Sequence, residues 1–427
     1  MNAPAITPAM SADRAREIAG SFDLRALPPD FYTNPFPVYA ALREREPVRR
    51  MPDGSWFLTR YADLVAVYRD AHAFSSDKKV EFTPKYGAGS PLLAHHTTSL
   101  VFNDPPLHTR VRKLIMGALT RRAIAEMEPG LVQLVDQLLD GLEAKGGGDL
   151  IEDFAAAIPV EIIGNLLGVP HEERGPLRDW SLAILGALEP KLTAEQEERG
   201  NRSVSEMLDY LRGLVARRRK EPGDPEHDVL TRLIQGEQGG EQLSEHELLQ
   251  NCIFILNAGH ETTTNLIGNA LVALQEWPEQ KALLLRAIGT RADWEALEPV
   301  MTLAVDEFLR FESSNQLGNR RALKAVDVGG VRLDEGALVT LCIGAANRDP
   351  AQFERPDELD LNRASNRHLA FGFGIHQCAG LSLARLEGRV AIGRFLARFP
   401  HYRLTAPPER GGRARFRGFL HAPFAVA

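Results

Sequence analysis

The strongest constraint on this chain is one long helical run near its middle. Ser244-x-x-Glu247 is a capping box, and apolar residues then recur at helical spacing over residues 248–274, stopping before Pro278. About thirty residues at ~1.5 Å each cross most of a molecule of this size, so the other elements must pack around that axis. Its middle is poor helix material. Ala258-Gly259-His260-Glu261-Thr262-Thr263 puts a glycine where alanine is better by about 1 kcal/mol, and a carboxylate among threonines where core residues belong. Chemistry, not helix stability, accounts for this hexapeptide.

A chain of 427 residues suggests about three domains on length alone. No Pro/Gly/Ser linker, repeat or low-complexity block supports that division, and the polar stretches 145–149, 217–228 and 236–242 are loop-sized. With 44% hydrophobic residues one large core is feasible. Residues 1–30 therefore read as an N-terminal extension, open to disorder, and 31–427 as a single domain. Helical patterning dominates it. Strand-like segments are few: 47–50 with 55–59, then 328–332 and 337–342, the last two flanking turn chemistry at Asp334-Glu335-Gly336 as in a hairpin. The fold class is mainly α with a small β portion.

Several function classes fall away. Cys252, Cys342 and Cys378 are far apart and odd in number, against a disulfide framework and for a reducing cytoplasm. The first twenty residues have no apolar core of a signal or anchor, and no run reaches the roughly 18 apolar residues of a membrane span. A soluble, cytoplasmic protein is expected. A net charge of −7 gives no support to nucleic-acid binding. The basic run Arg217-Arg218-Arg219-Lys220 reads as a solvated helix end.

One cysteine stands apart. In Phe371-Gly372-Phe373-Gly374-Ile375-His376-Gln377-Cys378-Ala379-Gly380, glycines allow a tight loop that presents one sulfur and brings backbone close to a flat ligand. Residues 381–399 have helical periodicity, so a helix N-terminus follows the sulfur and favours its thiolate. A thiolate held alone in this way suits an axial ligand to haem iron.

These residues resemble the haem loop of the cytochrome P-450 family, F-x-x-G-x-H/R-x-C-x-G, with Phe371, Gly374, His376, Cys378 and Gly380 in place. The hexapeptide resembles the family's oxygen-binding segment, A/G-G-x-D/E-T-S/T. The resemblance implies that Ala258 and Gly259 line the haem, Gly259 thinning the helix for a diatomic ligand. It implies Thr262 and Glu261 as the catalytic pair that delivers protons to oxygen. H-E-x-x-H for zinc fails, because Thr264 stands where the second histidine belongs. Asp104-Pro105-Pro106-Leu107-His108-Thr109-Arg110-Val111-Arg112 is similar to D-P-P-x-H-x-x-x-R, whose His and final Arg bind haem propionates. Arg320, with Arg321 one residue away, aligns with a third propionate donor and His376 with a fourth. Phe371, Gly372, Cys378 and Gly380 complete the cofactor contacts, with Cys378 on the metal. Glu307 and Arg310 match E-x-x-R, and Arg363 the third member of that structural triad.

The likeness spans roughly residues 30–425 and implies the family's triangular prism-like helical body around a buried haem b (iron protoporphyrin IX). It implies a monooxygenase that hydroxylates or epoxidises a medium-sized organic substrate with O2 and two external electrons. A ferredoxin and an NAD(P)H-dependent ferredoxin reductase would supply these to a monomer; Arg110, Lys113, Arg121 and Arg122 are read either as part of a docking face or as solvated surface. Two departures stand out. Ser313-Ser314-Asn315-Gln316 replaces a proline-containing turn in the pocket wall, and Ala379 replaces a commoner Leu beside the sulfur. The pocket should draw on residues 78–98, 182–188, 254–258, 313–318 and 418–421. Its Lys78, Lys79, Lys85, His95 and His96 are read either as receiving a substrate carboxylate or as charged loop surface. An H2O2-driven peroxygenase, a non-oxidative haem protein sensing a gas and a Cys378–His376 thiol hydrolase are the alternatives.

Overall fold

The structure, a computed structural model, describes residues 11–225, 228–238, 241–289 and 297–426. The capping box at Ser244 forms as expected. Its hydroxyl accepts from Glu247 N–H, the Glu247 side chain accepts from Ser244 N–H, and the helix runs Glu245–Glu276. Helices Ala157–Leu166, Leu177–Gly186, Ala194–Lys220 and Leu381–Arg398 all pack on this central helix, and its apolar faces merge with theirs in the largest core cluster. The helix expected over 381–399 is present as Leu381–Arg398.

Five strands form the main sheet, in the spatial order Val48–Arg50, Trp56–Leu58, Leu338–Cys342, Leu317–Ala322, Phe74–Ser75. The hairpin expected between 328–332 and 337–342 does not form. Val326–Val328 instead turns back on Val331–Leu333 through Gly329 and Gly330. Both glycines have positive φ (56° and 84°), the geometry a two-residue turn requires. Leu338–Cys342 pairs antiparallel with Leu317–Ala322 and parallel with Trp56–Leu58, two partners distant in sequence.

The N-terminal segment is ordered from Ser11 onward, whose side chain caps helix Ala12–Ser21. Ala15, Ala19, Phe22 and Phe31 are buried with Tyr39 and Phe57, and Arg49 donates to the carbonyls of Gly20 and Phe22 at 3.1 and 3.2 Å. Disorder thus does not describe residues 11–30, while residues 1–10 lie outside the described part. The basic run at 217–220 closes helix Ala194–Lys220 as a solvated end, with Arg217, Arg219 and Lys220 exposed; Arg217 bonds Glu173 at 2.6 Å, Arg218 bonds Asp228 at 2.8 Å, and Arg219 bonds Glu245 at 2.5 Å.

Candidate active site

Between Leu248 and Leu274 the central helix is buried all round except at Phe254, Ile255, Ala258, Gly259 and Thr262. Phe254, Ala258 and Thr262 recur every fourth residue, so they share one helix face, and that face is uncovered. The Thr262 hydroxyl donates to the Ala258 carbonyl at 2.9 Å, a local bond that competes with the helical ladder. The Thr262 carbonyl in turn accepts from the Ser314 hydroxyl at 2.8 Å. Gly259 does not serve the purpose expected of it. A Cβ there would meet Ile163 Cδ1 at 2.3 Å, so the glycine lets helix Ala157–Leu166 approach rather than making room on the uncovered face.

The cysteine loop is built by its glycines. Gly372 and Gly374 adopt φ of 65° and 73°, and Cys378 N–H donates to Phe371 O at 2.9 Å to close the turn. Burial pushes the Cys378 thiol above its ordinary value, while the Gly380 N–H, Arg112 and Arg385 pull it back toward the thiolate. Cys252 and Cys342 are pushed up to about 12 mainly by burial, and all three cysteines are free. Helix Leu381–Arg398 starts just after the sulfur, as the sequence predicts.

Positive charge gathers beside this loop. His108 and Arg112 lie on helix Leu107–Ala118, Arg320 on strand Leu317–Ala322, and the His108 and His376 rings stand 4.1 Å apart. Burial first, then Arg320, His108, Arg112 and Lys78, push His376 down to about 2, and its buried Nε2 has no partner. His108 is likewise lowered, by burial and then Arg112, with Asp104 opposing. Arg320 is held by the Tyr68 ring, 5.1 Å away, and by the Asn319 carbonyl at 2.8 Å; no carboxylate pairs with it among the described residues. Orphaned imidazole nitrogen and uncompensated guanidinium together fit a ligand with two carboxylates, such as the haem propionates. Arg320, not Arg321, is the residue electrostatically coupled to His376 and His108.

The triad residues meet in one network. Arg310 donates twice to Glu307 at 2.8 and 2.7 Å, and Arg363 donates to Glu307 at 3.0 Å. Arg310 also holds the carbonyls of Asn347, Pro356 and Glu358, and Asn347 accepts from Leu369 N–H at 2.6 Å, just ahead of the cysteine loop.

Glu261 is adjacent to Thr262 but off the uncovered face. Its Oε1 accepts from Arg413, a residue that local sequence reasoning missed because the partners are 152 positions apart. The substituted turn at 313–316 is polar but spent on the scaffold: Ser313 donates to Leu309 O, and Gln316 spans Arg415 and Ile343. The Lys/His stretch resolves into buried and surface groups. Lys78 pairs with Glu81 at 2.9 Å, Lys85 donates to Glu189 O at 2.7 Å, and His95 bonds Gln250 at 3.0 Å. Of these five residues only Lys79, the first of helix Lys79–Tyr86 and paired with Asp77, is exposed. Of the basic residues at 110–122, Arg110 is bonded to Glu247 and Arg122 to Glu126, while Lys113 and Arg121 are exposed.

Among the described residues no helix is long and apolar enough to cross a membrane. A family profile described as Cytochrome P450 matches residues 183–415. The chain is 38% identical over 384 residues to Cytochrome P450 107B1 of Saccharopolyspora erythraea, covering 87% of this chain and 89% of that protein. It is 39% identical over 381 residues to the vitamin D(3) 25-hydroxylase of Pseudonocardia autotrophica, covering 88% and 89%. Among solved structures it is similar to P450BioI in complex with an acyl carrier protein bearing hexadec-9Z-enoic acid, at TM-score 0.86 and 32% identity over 93% of this chain and 100% of that one. Similarity that runs through the helical body as well as the loop makes the chain a member of the cytochrome P450 family, haem b-dependent monooxygenases.

Proposed function

We propose that this protein inserts one atom of O2 into a C–H or C=C bond of a medium-sized organic substrate, taking two electrons from a separate ferredoxin and its NAD(P)H-dependent reductase. The observation that carries the reading is the meeting of the Cys378 loop with Arg112 and Arg320, which no carboxylate pairs among the described residues, and the orphaned His376. Cys378 would ligate the haem iron, and His108, Arg112, Arg320 and His376 would hold the propionates. When bound, the haem supplies the oxygen activation, its thiolate ligand favouring O–O cleavage. The chain's own residues do the rest. Phe254, Ile255 and Ala258 present an apolar wall to substrate, Thr262 holds a hydroxyl at the reacting face, and Glu261 handles protons behind it. Relatives named as a hydroxylase and as an epothilone epoxidase are compatible with either outcome. Lys113 and Arg121 leave some exposed positive charge for an acidic redox partner. A monomer in the cytoplasm is part of the same reading.

The test is the absorption spectrum of purified protein, reduced and exposed to carbon monoxide, beside a Cys378→His variant. A strongly red-shifted Soret band present in the parent and lost in the variant is expected. An unshifted parent band, or no haem at all, overturns the reading.

A further inference from the structure

Phe371 closes the cysteine turn, its carbonyl accepting from Cys378 N–H at 2.9 Å. What holds Phe371 lies outside the ten-residue loop. The Arg385 guanidinium stands over its ring, 5.0 Å from the centroid, and the His368 ring lies 5.6 Å away. Both groups are anchored on one carboxylate. Arg385 Nε donates to Asp306 Oδ1 at 2.7 Å, and His368 Nε2 meets the same oxygen at 3.4 Å. His368 Nδ1 accepts from Ala370 N–H at 3.2 Å, so the ring proton sits on Nε2 and faces Asp306. Burial raises the Asp306 carboxyl, but His368 and Arg385 outweigh it and hold the group below its ordinary value. Arg385 belongs to helix Leu381–Arg398, and Asp306 to helix Glu298–Phe311, next to Glu307 of the triad. Their side chains are only 29% and 19% exposed, so solvent screens the pair less than a surface one.

We propose that Asp306 and Arg385 are positioning residues for electron uptake: Arg385 sets a cation behind Phe371 that favours reduction of the centre ligated by Cys378, and Asp306 fixes that cation and moderates it. This rests on the reading of Cys378 as the iron ligand. An electron from the separate redox partner adds negative charge at that centre and breaks no bond. A nearby cation therefore makes the step easier and a nearby carboxylate makes it harder. Arg385 already draws the Cys378 sulfur toward its thiolate, as does Arg112. Arg112 is assigned to a propionate whose charge answers it, whereas the partner of Arg385 is part of the chain and can be removed by substitution. The two members of the pair act with opposite sign. A clamp that merely held the loop would not do so, because losing either member would loosen the same contact.

The experiment is a spectroelectrochemical titration of the haem-loaded protein at low ionic strength and one fixed pH, with no redox partner present. In Arg385→Gln the midpoint potential should fall, and in Asp306→Asn it should rise. The double variant removes both charges and should return toward the parent. Arg385→Lys keeps the charge without the planar fork and should stay near the parent, which separates charge from packing. Shifts of the same sign in the two single variants overturn the proposal. So does a parent-like potential in Arg385→Gln, or a double variant displaced as far as Arg385→Gln alone. A parent that lacks the red-shifted Soret band would count against the haem assignment instead.

Discussion

Gly374 adopts φ of 73° directly against the Tyr68 backbone, where a Cβ would stand 2.3 Å from the Tyr68 carbonyl oxygen. Neither the left-handed conformation nor that contact tolerates a side chain, and the obstacle is backbone that cannot rotate away. Gly374→Ala should therefore cost about 1–3 kcal/mol from strain alone and displace the loop bearing Cys378. Thermal unfolding of the purified variant, with haem content per chain, checks this; a parent-like melting temperature and full haem content would contradict it. Local sequence reveals this requirement, because a glycine at fixed spacing from a cysteine is visible without any structure. Gly259 shows the opposite case. Its position in the hexapeptide suggested room for a small ligand, yet the space it leaves is filled by Ile163 of a neighbouring helix. Which face of a helix a glycine serves depends on what packs there, and no local pattern records that.

At the scale of elements, the central helix was readable because its cap, period and terminating proline all lie within one stretch of chain. Strand Leu317–Ala322 was not. Its sequence Leu-Gly-Asn-Arg-Arg-Ala lacks alternating apolar residues, since its ladder is completed by Leu338–Cys342 and Phe74–Ser75 and its arginines serve electrostatic ends. The same distance hid Arg413. The E-x-x-R pair, weak as a motif, gains its meaning from carbonyls supplied by three separate residues beyond the helix that carries it. Glu307 and Arg310 are both fully buried, so Glu307→Gln leaves Arg310 charged without a counterion. A loss of about 3–5 kcal/mol is expected, read as a lower denaturant midpoint. A variant with the parent's midpoint would show that carbonyls alone can carry Arg310.

The whole molecule carries two opposed sets of buried groups that shape its stability against pH. Burial lowers His95 to about 4 and His260 to about 3, from an ordinary 6.5. The unfolded chain takes up these protons first, so the stability they contribute is complete above pH 6.5 and lost as pH falls toward 4 and then 3. Burial raises Glu387 to about 8 from 4.5; the stability linked to it is complete below pH 4.5 and lost as pH rises through about 8. Melting temperature should therefore peak on the mildly acidic side of neutrality, and Glu387→Gln should flatten the alkaline slope while leaving the acid slope in place. A variant profile parallel to the parent's on both sides would refute the assignment.

The carbonyls of three consecutive residues, 187–189, are each taken by a different side chain: Tyr86 holds Ala187, Arg415 holds Leu188, and Lys85 holds Glu189. Tyr86 and Lys85 come from one helix and Arg415 from the far end of the chain. A strap tied down from two sides cannot peel from one edge, so its opening is a concerted event with its own barrier. Loosening this segment therefore means breaking bonds from two separate parts of the chain together, so it should exchange its amide protons as one unit.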